Sequence, residues 1–340
     1  MADLKETIGE LNKHFGKNTI ISGNQFVALQ MPRVSTGSLG LDIETGGGFP
    51  YGRVIEVYGK ESAGKTFIAL KTAANVQNDG KNVVWIDAEG SFDPVWSKKL
   101  GVDVENLYLA RPESGEKAGD IMDAVIRSGD CGLVVLDSTA ALIPEQDLDK
   151  SMGDVEQIGT RAKMVNRLVR KLHSALNLQV GEDQVPNNCM VIFINQIREK
   201  VGVMWGSPET TPGGLGLKHA ASVRVHLRKS WIKDPKDKDK ILGQSVTFVT
   251  EKNKTYPPYR RGEFDFFTEG ELQGQIDNTK EVFTYGLLAG LIETTGRSYM
   301  FGDEKIVGRD AAVEYLRTNP KLEKELWKKI SNHYFGGDKK

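Results

Sequence analysis

The chain of 340 residues contains few cysteines and no long apolar run. Its two cysteines, Cys131 and Cys189, lie in apolar segments and match no metal-ligand spacing, so we predict reduced thiols in the core. No apolar run is long enough to span a bilayer, and charges run through the N-terminal segment MADLKETIGELNKHFG, unlike a secretory signal. The sequence therefore predicts a cytoplasmic protein without a membrane partner.

The formal net charge is close to zero, since 45 lysines and arginines and 46 acidic residues leave a charge of -1 at pH 7. This balance argues against a protein that coats nucleic acid through bulk charge, although a local nucleic-acid groove stays open. The hydrophobic share of 39% and the charged share of 27% are ordinary for a globular protein. The length suits one large domain with small appendages.

Strand patterns alternate with helical patterns through the centre of the chain. The strands are predicted at RVIEVYG, NVVWIDAE, NLYLARP, GLVVLDS and CMVIFINQ. This alternation predicts an α/β fold with a mostly parallel central sheet covered on both faces. SVRVHLRKSW, SVTFVTEKN and GEFDFFTEG then predict consecutive antiparallel strands that extend the sheet, with KDPKDKDK as a solvated hairpin tip.

The sequence predicts a smaller structural unit at each end of the chain. Leu4, Ile8, Leu11 and Phe15 recur at helical spacing, and this apolar face must pack either on the chain's own core or on a neighbouring subunit. After about residue 270, helical patterns return and predict a small α-rich C-terminal domain. We therefore expect divisions at 1–31, 32–268 and 269–340.

The segment GKESAGKT matches the P-loop pattern G-x-x-x-x-G-K-[ST], and it lies between a predicted strand and a predicted helix. Backbone N–H groups in such a loop, together with the helix N-terminus, bind phosphates. Lys65 is predicted to reach the β- and γ-phosphates, and the Thr66 hydroxyl to ligate Mg²⁺. The predicted site for ATP and Mg²⁺ comprises Gly59, Lys60, Glu61, Ser62, Ala63, Gly64, Lys65 and Thr66.

Polar side chains end three other predicted strands. Asp137 is placed to hold the metal ion. Glu89, two residues after Asp87 on one strand face, either orients or deprotonates water or caps the next helix. Gln196 either bonds a γ-phosphate and reports its loss or is an ordinary polar residue.

Two groups of basic residues allow a structural and a functional interpretation. Lys252 and Lys254 either blunt a solvated strand edge or offer cations to a phosphate in another subunit. A solvated face is the ordinary interpretation of a helix with Arg161, Lys163, Arg167, Arg170 and Lys171. However, the loop before this helix leaves the carboxyl edge of the sheet, where open α/β folds bind ligands. The long connection VMWGSPETTPGGLGLK, which has no hydrophobic period, starts from the same edge.

The ordered segments STGSLGLD, EVYGKESAGKT, DAEGSFDP, LDSTAAL, FINQIREKVGVMWGSPETTPGG, LKHAASVR and KNK resemble the bacterial RecA recombinase family, including its phage-encoded members. The resemblance covers about residues 35–266. It implies a RecA-type P-loop ATPase core, an N-terminal helix and strand that dock on the next protomer, and a small C-terminal domain. It also implies a DNA-dependent ATPase that forms helical homo-filaments on single-stranded DNA and exchanges strands with double-stranded DNA in recombinational repair. Many members also stimulate self-cleavage of a repressor.

The resemblance further implies roles for individual residues. Glu89 would activate water with Lys65 beside it, Asp137 would hold Mg²⁺ through water, and Gln196 would sense the γ-phosphate. Lys252 and Lys254 would reach ATP across the subunit interface, and Asp93 and Trp96 would contact adenine. Two DNA-binding loops would span about 147–159 and 197–217. Their predicted DNA contacts are Gly153, Ile158, Gly159, Lys163, Arg170, Arg198, Val201, Met204, Trp205, Thr210, Thr211, Gly213 and Gly214. Trp205 would either anchor a small cluster or contact the subunit or DNA surface.

Some positions depart from the family pattern. Trp96 stands where Tyr is usual, His219 where Phe is common, and the first DNA loop differs. The acidic tail of many members is replaced by GGDKK, which we expect to ease engagement of duplex DNA. Two alternatives stay open: a ring-forming ATPase with the same core, such as a helicase or clock-type kinase, and an ATP-gated filament scaffold for a repressor or polymerase.

Overall fold

The computed structural model describes residues 3–16, 19–20, 23, 32–151, 159–180, 185–199 and 209–336. An eight-stranded sheet forms its centre, and the remaining strands form small two- and three-stranded sheets. The strands are β1 (Arg33–Val34), β2 (Phe49–Pro50), β3 (Val54–Gly59), β4 (Asn82–Asp87), β5 (Leu107–Ala110), β6 (Cys131–Asp137), β7 (Gln179–Val180), β8 (Val185–Pro186), β9 (Met190–Gln196), β10 (Arg198–Glu199), β11 (Glu209–Thr210), β12 (Val223–Lys233), β13 (Ile241–Asn253), β14 (Arg261–Phe267), β15 (Glu293–Thr295), β16 (Ser298–Phe301) and β17 (Glu304–Val307). The α-helices are α1 (Leu4–Phe15), α2 (Leu39–Thr45), α3 (Lys65–Asn78), α4 (Pro94–Lys99), α5 (Gly115–Ser128), α6 (Thr160–Leu176), α7 (Gly214–Ala220), α8 (Asn278–Leu288), α9 (Arg309–Arg317) and α10 (Pro320–Phe335).

The sheet has the strand order β14-β13-β12-β3-β9-β6-β4-β5. The six strands β12, β3, β9, β6, β4 and β5 are neighbours in this order and pair in parallel. The pairs β12–β13 and β13–β14 are antiparallel. The predicted mostly parallel sheet with an antiparallel extension is therefore confirmed. The connection between β12 and β13, which was predicted as a hairpin tip, joins two antiparallel neighbours.

Apolar strands explain why this sheet lies inside the protein. Every residue of β3 and β6 is buried, as expected for parallel strands covered on both faces. Val57 on one face belongs to an apolar cluster with Ile68 of α3, while Val54 belongs to a second cluster with Leu172 of α6. Both cysteines are free and buried, so the predicted core thiols are confirmed.

The parallel strands bring their carboxyl ends to one edge. Gly59 at the end of β3 pairs with Gln196 at the end of β9. Asp87 at the end of β4 pairs with Asp137 at the end of β6. A strand-end residue from each of four neighbouring strands therefore faces the same edge, which is where open α/β sheets bind ligands.

The C-terminal part contains the predicted helices and also a three-stranded antiparallel sheet, β15-β16-β17, that sequence patterns did not reveal. Its strands have only three or four residues and are joined by turns with glycines at positive φ, Gly296 and Gly302. Such short strands carry too little alternation to be recognised from sequence. Leu39 and Ile43 of α2 share an apolar cluster with α8, α9 and α10. The division at residue 269 stays a prediction.

Helix α1 forms as predicted, and two of its four apolar-face residues, Leu4 and Phe15, are exposed, whereas Ile8 and Leu11 are half-buried. Leu4 and Phe15 are 71% and 67% exposed, and within the described residues nothing buries this helix. The strand expected to follow it lies outside the described residues. Among the residues with described structure, no helix is long and apolar enough to cross a membrane.

Candidate nucleotide and DNA sites

The P-loop at residues 59–66 connects β3 to α3 through a tight turn. A Cβ on Gly59 would lie 2.3 Å from the carbonyl oxygen of Leu227, so this position requires glycine. Ser62 and Gly64 adopt positive φ values of 55° and 83°, and Gly64 is the N-cap of α3. The first N–H groups of α3 thus lie at the loop, an arrangement that suits anions. The ammonium of Lys65 crosses the loop and donates to the Lys60 carbonyl oxygen at 2.8 Å.

Lys65 is a buried cation among carboxylates. Its relative exposure is 7%. Burial lowers the pKa of Lys65, while the negative charges of Asp137, Glu89 and Glu61 act in the opposite direction. Because these carboxylates favour the charged ammonium, Lys65 is suited to meet an anionic phosphate.

Asp137 and Thr66 provide an oxygen donor set beside Lys65. The Thr66 hydroxyl donates to Asp137 Oδ2 at 3.3 Å. Burial, and then the charge of Glu89, raise the pKa of Asp137 to about 7. A desolvated carboxylate next to another carboxylate is stabilised by a bound cation, and hydroxyl and carboxylate oxygens are ligands that Mg²⁺ accepts. The residues present therefore fit Mg²⁺.

Glu89 lies in the loop after β4, so the expectation that it shares a strand face with Asp87 is wrong. The strand ends at Asp87, and the N–H groups of Ala88 and Glu89 turn to the Asp137 carbonyl oxygen at 2.7 and 3.3 Å. Two donors then hold Glu89 Oε1: the Ser138 hydroxyl at 2.7 Å and the Gln196 amide at 3.0 Å. The fold thus joins three strand ends through one carboxylate oxygen.

Asp87 shapes the loop that carries Glu89, a role that sequence reasoning missed. Its carboxylate accepts from the N–H groups of Ser91 and Phe92 at 2.9 and 3.3 Å. The Arg111 guanidinium donates to the same carboxylate at 2.9 Å. The available signal was an aspartate at the end of an apolar strand followed by AEGS, whose glycine and serine favour a turn.

Asp93 and Trp96 lie at the start of α4. Asp93 Oδ1 accepts from the N–H groups of Val95 and Trp96 at 2.8 and 3.0 Å, so Asp93 is the N-cap of this helix. The partly buried Trp96 packs against the apolar cluster that includes α3. Their contact with adenine stays a prediction.

Lys252 and Lys254 both approach the C-terminal end of α7. The Lys252 ammonium donates to the carbonyl oxygens of Lys218 and His219 at 2.7 and 2.9 Å. The Lys254 ammonium lies 3.5 Å from the same His219 oxygen. A cation at the C-terminal end of a helix is favourable, which explains this arrangement within one chain. Their role at an interface stays a prediction.

The far ends of the two predicted DNA loops start helices that pack together. Gly159, with φ of 87°, begins α6, and Gly213, with φ of 96°, begins α7. A Cβ on Gly213 would lie only 3.0 Å from Val165 Cγ1 of α6, and one on Gly214 only 3.3 Å from Ala162 Cβ. The end of the second loop therefore packs against α6, the helix that follows the first loop.

The exposed side of α6 and the base of the second loop are also defined. Lys163 and Arg170 are exposed on α6. Two residues after Gln196, Arg198 of β10 pairs with Thr210 of β11, which closes the base of the second loop. Thr211 beyond it is buried. The predicted DNA contacts at Gly153, Ile158, Val201, Met204 and Trp205 lie outside the described residues.

A P-loop on a mostly parallel sheet, with Asp137 and Gln196 at the ends of two neighbouring strands, is the arrangement of a P-loop ATPase. The sequence matches the RecA N-terminal domain family over residues 2–272. It is 41% identical to Protein RecA of Cereibacter sphaeroides over 331 residues, 96% of this chain and 92% of that protein. It is 42% identical to Protein RecA of Psychrobacter arcticus over 336 residues, 98% and 91% of the two chains. Identity to Protein RecA of Clostridioides difficile is 39% over 334 residues, 97% and 91% of the two chains.

The chain therefore belongs to the RecA family, and the resemblance found in its sequence is confirmed. As a member of this family the protein is a DNA-dependent ATPase that forms filaments on DNA and acts in recombination and repair. The family binds ATP at the P-loop.

Proposed function

We propose that this protein hydrolyses ATP with Glu89 as the group that activates water and with Gln196 as the group that controls Glu89. The observation that carries the proposal is the 3.0 Å hydrogen bond from the Gln196 amide to Glu89 Oε1. This bond joins the end of β9 to the loop after β4, beside Lys65 and Asp137 of the phosphate site. A sensor that contacts the catalytic carboxylate directly has a means to regulate it.

The phosphates bind along residues 59–66, with Lys65 at the β- and γ-phosphates. Thr66 would ligate Mg²⁺ and Asp137 would hold it through water, and the ion would supply positive charge beside the phosphates. Trp96 stacks on adenine, since its ring offers a large apolar face, and Asp93 contacts the base. The raised pKa of Asp137 supports the metal assignment because a cation would stabilise its charged form.

Gln196 exchanges hydrogen-bond partners when the nucleotide changes. With a γ-phosphate present, its amide turns to a phosphate oxygen and leaves Glu89. Glu89 then keeps the Ser138 bond and accepts a proton from the attacking water. When the γ-phosphate departs, the amide returns to Glu89. Because β10 begins two residues after Gln196, this exchange is passed to the base of the second DNA loop.

Single-stranded DNA binds first, and double-stranded DNA joins it for strand exchange. The phosphate backbone lies along Lys163, Arg170 and Arg198 and along the glycine-rich helix starts, while the loops at 147–159 and 197–217 surround the bases. Charged contacts of this kind give affinity without base specificity. The contacts at Gly153, Ile158, Val201, Met204 and Trp205 belong to the same proposal.

The filament forms when α1 of one protomer covers its exposed apolar face on the next. Lys252 and Lys254 of one subunit reach the ATP of its neighbour, as an arginine finger does. Residues 1–31, 32–268 and 269–340 act as docking arm, ATPase core and C-terminal domain. The filament acts in the cytoplasm and stimulates self-cleavage of a repressor.

The test is steady-state ATP hydrolysis with and without single-stranded DNA. Lys65→Ala should abolish turnover, and Glu89→Gln should abolish turnover but keep filaments, which electron microscopy with an ATP analogue detects. Lys305→Ala, on the remote strand β17, is the matched charge control and should behave as wild type. Turnover indifferent to DNA, or closed rings in place of filaments, would contradict the proposal.

A further inference from the structure

A buried asparagine, Asn195, directly precedes Gln196, the proposed γ-phosphate sensor. Asn195 lies in β9 and has 0% relative exposure. Its side-chain amide nitrogen donates to Glu56 Oε1 at 2.9 Å and to the Pro212 carbonyl oxygen at 3.0 Å. Its side-chain oxygen accepts from the backbone N–H of Gln196 at 3.0 Å. Both donors and one acceptor position of this amide are thus in use.

Glu56 gives this asparagine a fixed partner. It lies in β3, also has 0% relative exposure, and is paired with Arg224 Nε of β12 at 2.5 Å. The Arg224 guanidinium stacks over the ring of Tyr58 at 4.5 Å. A buried carboxylate held between a guanidinium and an amide has little freedom to move, because losing the guanidinium would leave its charge unpaired and losing the amide would leave one oxygen without that hydrogen bond.

The network continues to the strand that carries Lys252. Arg224 pairs with Lys252 and Val225 with Thr250, so Glu251 is the extra residue of a β-bulge. The bulge brings Glu251 within 3.5 Å of both Arg224 and His226. Glu56 is therefore connected both to β9 and to the segment proposed to reach the neighbouring ATP.

Pro212 lies at the opposite end of the second DNA loop from Gln196. Its carbonyl oxygen is held immediately before Gly213, the N-cap of α7, and two residues after β11. One side chain, Asn195, therefore binds the residue directly before the second DNA loop and a residue in its last part, just before α7. The connection runs through the buried sheet rather than through the loop residues between them.

We infer that Asn195 is a positioning residue that couples the γ-phosphate contact of Gln196 to the exit of the second DNA loop at residues 210–213. The inference rests on the proposed function of Gln196. When the Gln196 backbone shifts with its side chain, the hydrogen bond to Asn195 transmits that shift to Pro212 and hence to the start of α7. The two ends of the loop then change together, which makes DNA affinity depend on the nucleotide.

A second buried asparagine provides a matched control. Asn187 lies before β9, at the far end of the same strand. Its amide nitrogen donates to the carbonyl oxygens of Ile126 and Ala175 at 2.7 and 3.4 Å, and its oxygen accepts from the N–H of Cys189 at 3.0 Å. Asn187→Ala therefore removes the same kind of contact at a place remote from the nucleotide.

The experiment measures the affinity of the full chain for a fluorescent single-stranded oligonucleotide, with and without a non-hydrolysable ATP analogue. The ratio of the two affinities is the coupling between the sites, and it must equal the effect of DNA on analogue affinity. Asn195→Ala should reduce this ratio by at least about tenfold while basal ATP hydrolysis stays within about threefold of wild type. Asn195→Ser, which keeps a single donor, should give a smaller reduction and guards against a variant that fails to fold. Asn187→Ala should leave the ratio unchanged.

Two results would overturn the inference about Asn195 and leave the proposed function of Gln196 standing. One is a wild-type ratio that both Asn195 variants keep within about twofold. The other is an equal reduction in Asn187→Ala, which would make the effect one of general stability. If wild-type protein showed no nucleotide dependence of DNA affinity, the proposed function of Gln196 would fail and the inference with it.

Discussion

Replacing Ser138 with alanine tests how the site holds its proposed catalytic carboxylate. Ser138 is buried, and its hydroxyl donates to Glu89 Oε1 at 2.7 Å. The same oxygen accepts from the Gln196 amide at 3.0 Å. In the proposed ATP-bound state the amide has left for the γ-phosphate, so the Ser138 hydroxyl becomes the group that still orients Glu89.

The expected magnitude follows from that one bond. A hydrogen bond to a charged group contributes about 1.5–3 kcal/mol. Glu89 is exposed, so water replaces part of the lost bond, and we take the lower end, about 1.5 kcal/mol. Because about 1.4 kcal/mol corresponds to tenfold in rate, DNA-stimulated kcat should fall about tenfold. KM for ATP should change little, since Ser138 does not lie in the phosphate loop.

The assay is steady-state ATP hydrolysis at saturating single-stranded DNA. Ser91→Ala is the matched control, because Ser91 contacts Asp87 through its backbone N–H, which alanine keeps. That variant should retain wild-type kcat. A fall of less than about twofold in Ser138→Ala, or a rise in KM with unchanged kcat, would refute the role given to this hydrogen bond.

Three further predictions concern stability. Glu281→Ala removes a buried carboxyl group, whose pKa burial raises to about 8 and which accepts three hydrogen bonds at the start of α2, so chemical denaturation should show a loss of about 3 kcal/mol in unfolding free energy. The hydrogen bond from His226 is the main cause that lowers the pKa of Glu251 from 4.5 to about 2, so its carboxylate stabilises the fold above pH 4.5. The stability difference between wild type and Glu251→Gln should therefore shrink as pH falls from 4.5 toward 2, as denaturation at several pH values would measure. Gly48→Ala should prevent recovery of folded protein by size-exclusion chromatography, because φ is +97° and a Cβ would lie 2.1 Å from the Val34 carbonyl oxygen.

Controls for these variants lie in open positions. Gly296→Ala has a positive φ of 63° but open space around its Cβ, so it should fold with a modest loss of stability. Glu293→Ala replaces an exposed glutamate of β15 and should change unfolding free energy by less than about 0.5 kcal/mol. Equal losses in Glu281→Ala and Glu293→Ala, or a constant Glu251→Gln difference across pH, would contradict the corresponding predictions.

Sequence patterns predicted the features that depend on neighbouring residues. The P-loop was visible because phosphate binding needs glycines, Lys65 and Thr66 at fixed spacing between a strand and a helix. The parallel sheet was visible because buried strands such as β6 are continuously apolar. The short strands of the C-terminal part were not, since three or four residues carry no clear period.

The amino-acid sequence by itself determined the class of this protein, its nucleotide loop and the succession of strands and helices along the chain, because those features depend on local spacing. Only the tertiary structure decided that Glu89, Ser138 and Gln196 meet at one carboxylate oxygen and that Asn195 binds both ends of a DNA loop. Glu89 follows β4, Ser138 follows β6, and Asn195 and Gln196 lie in β9, so their meeting depends on how these three strands are ordered in the sheet. No spacing along the chain records that order, because it is fixed by the packing of apolar faces across the whole fold.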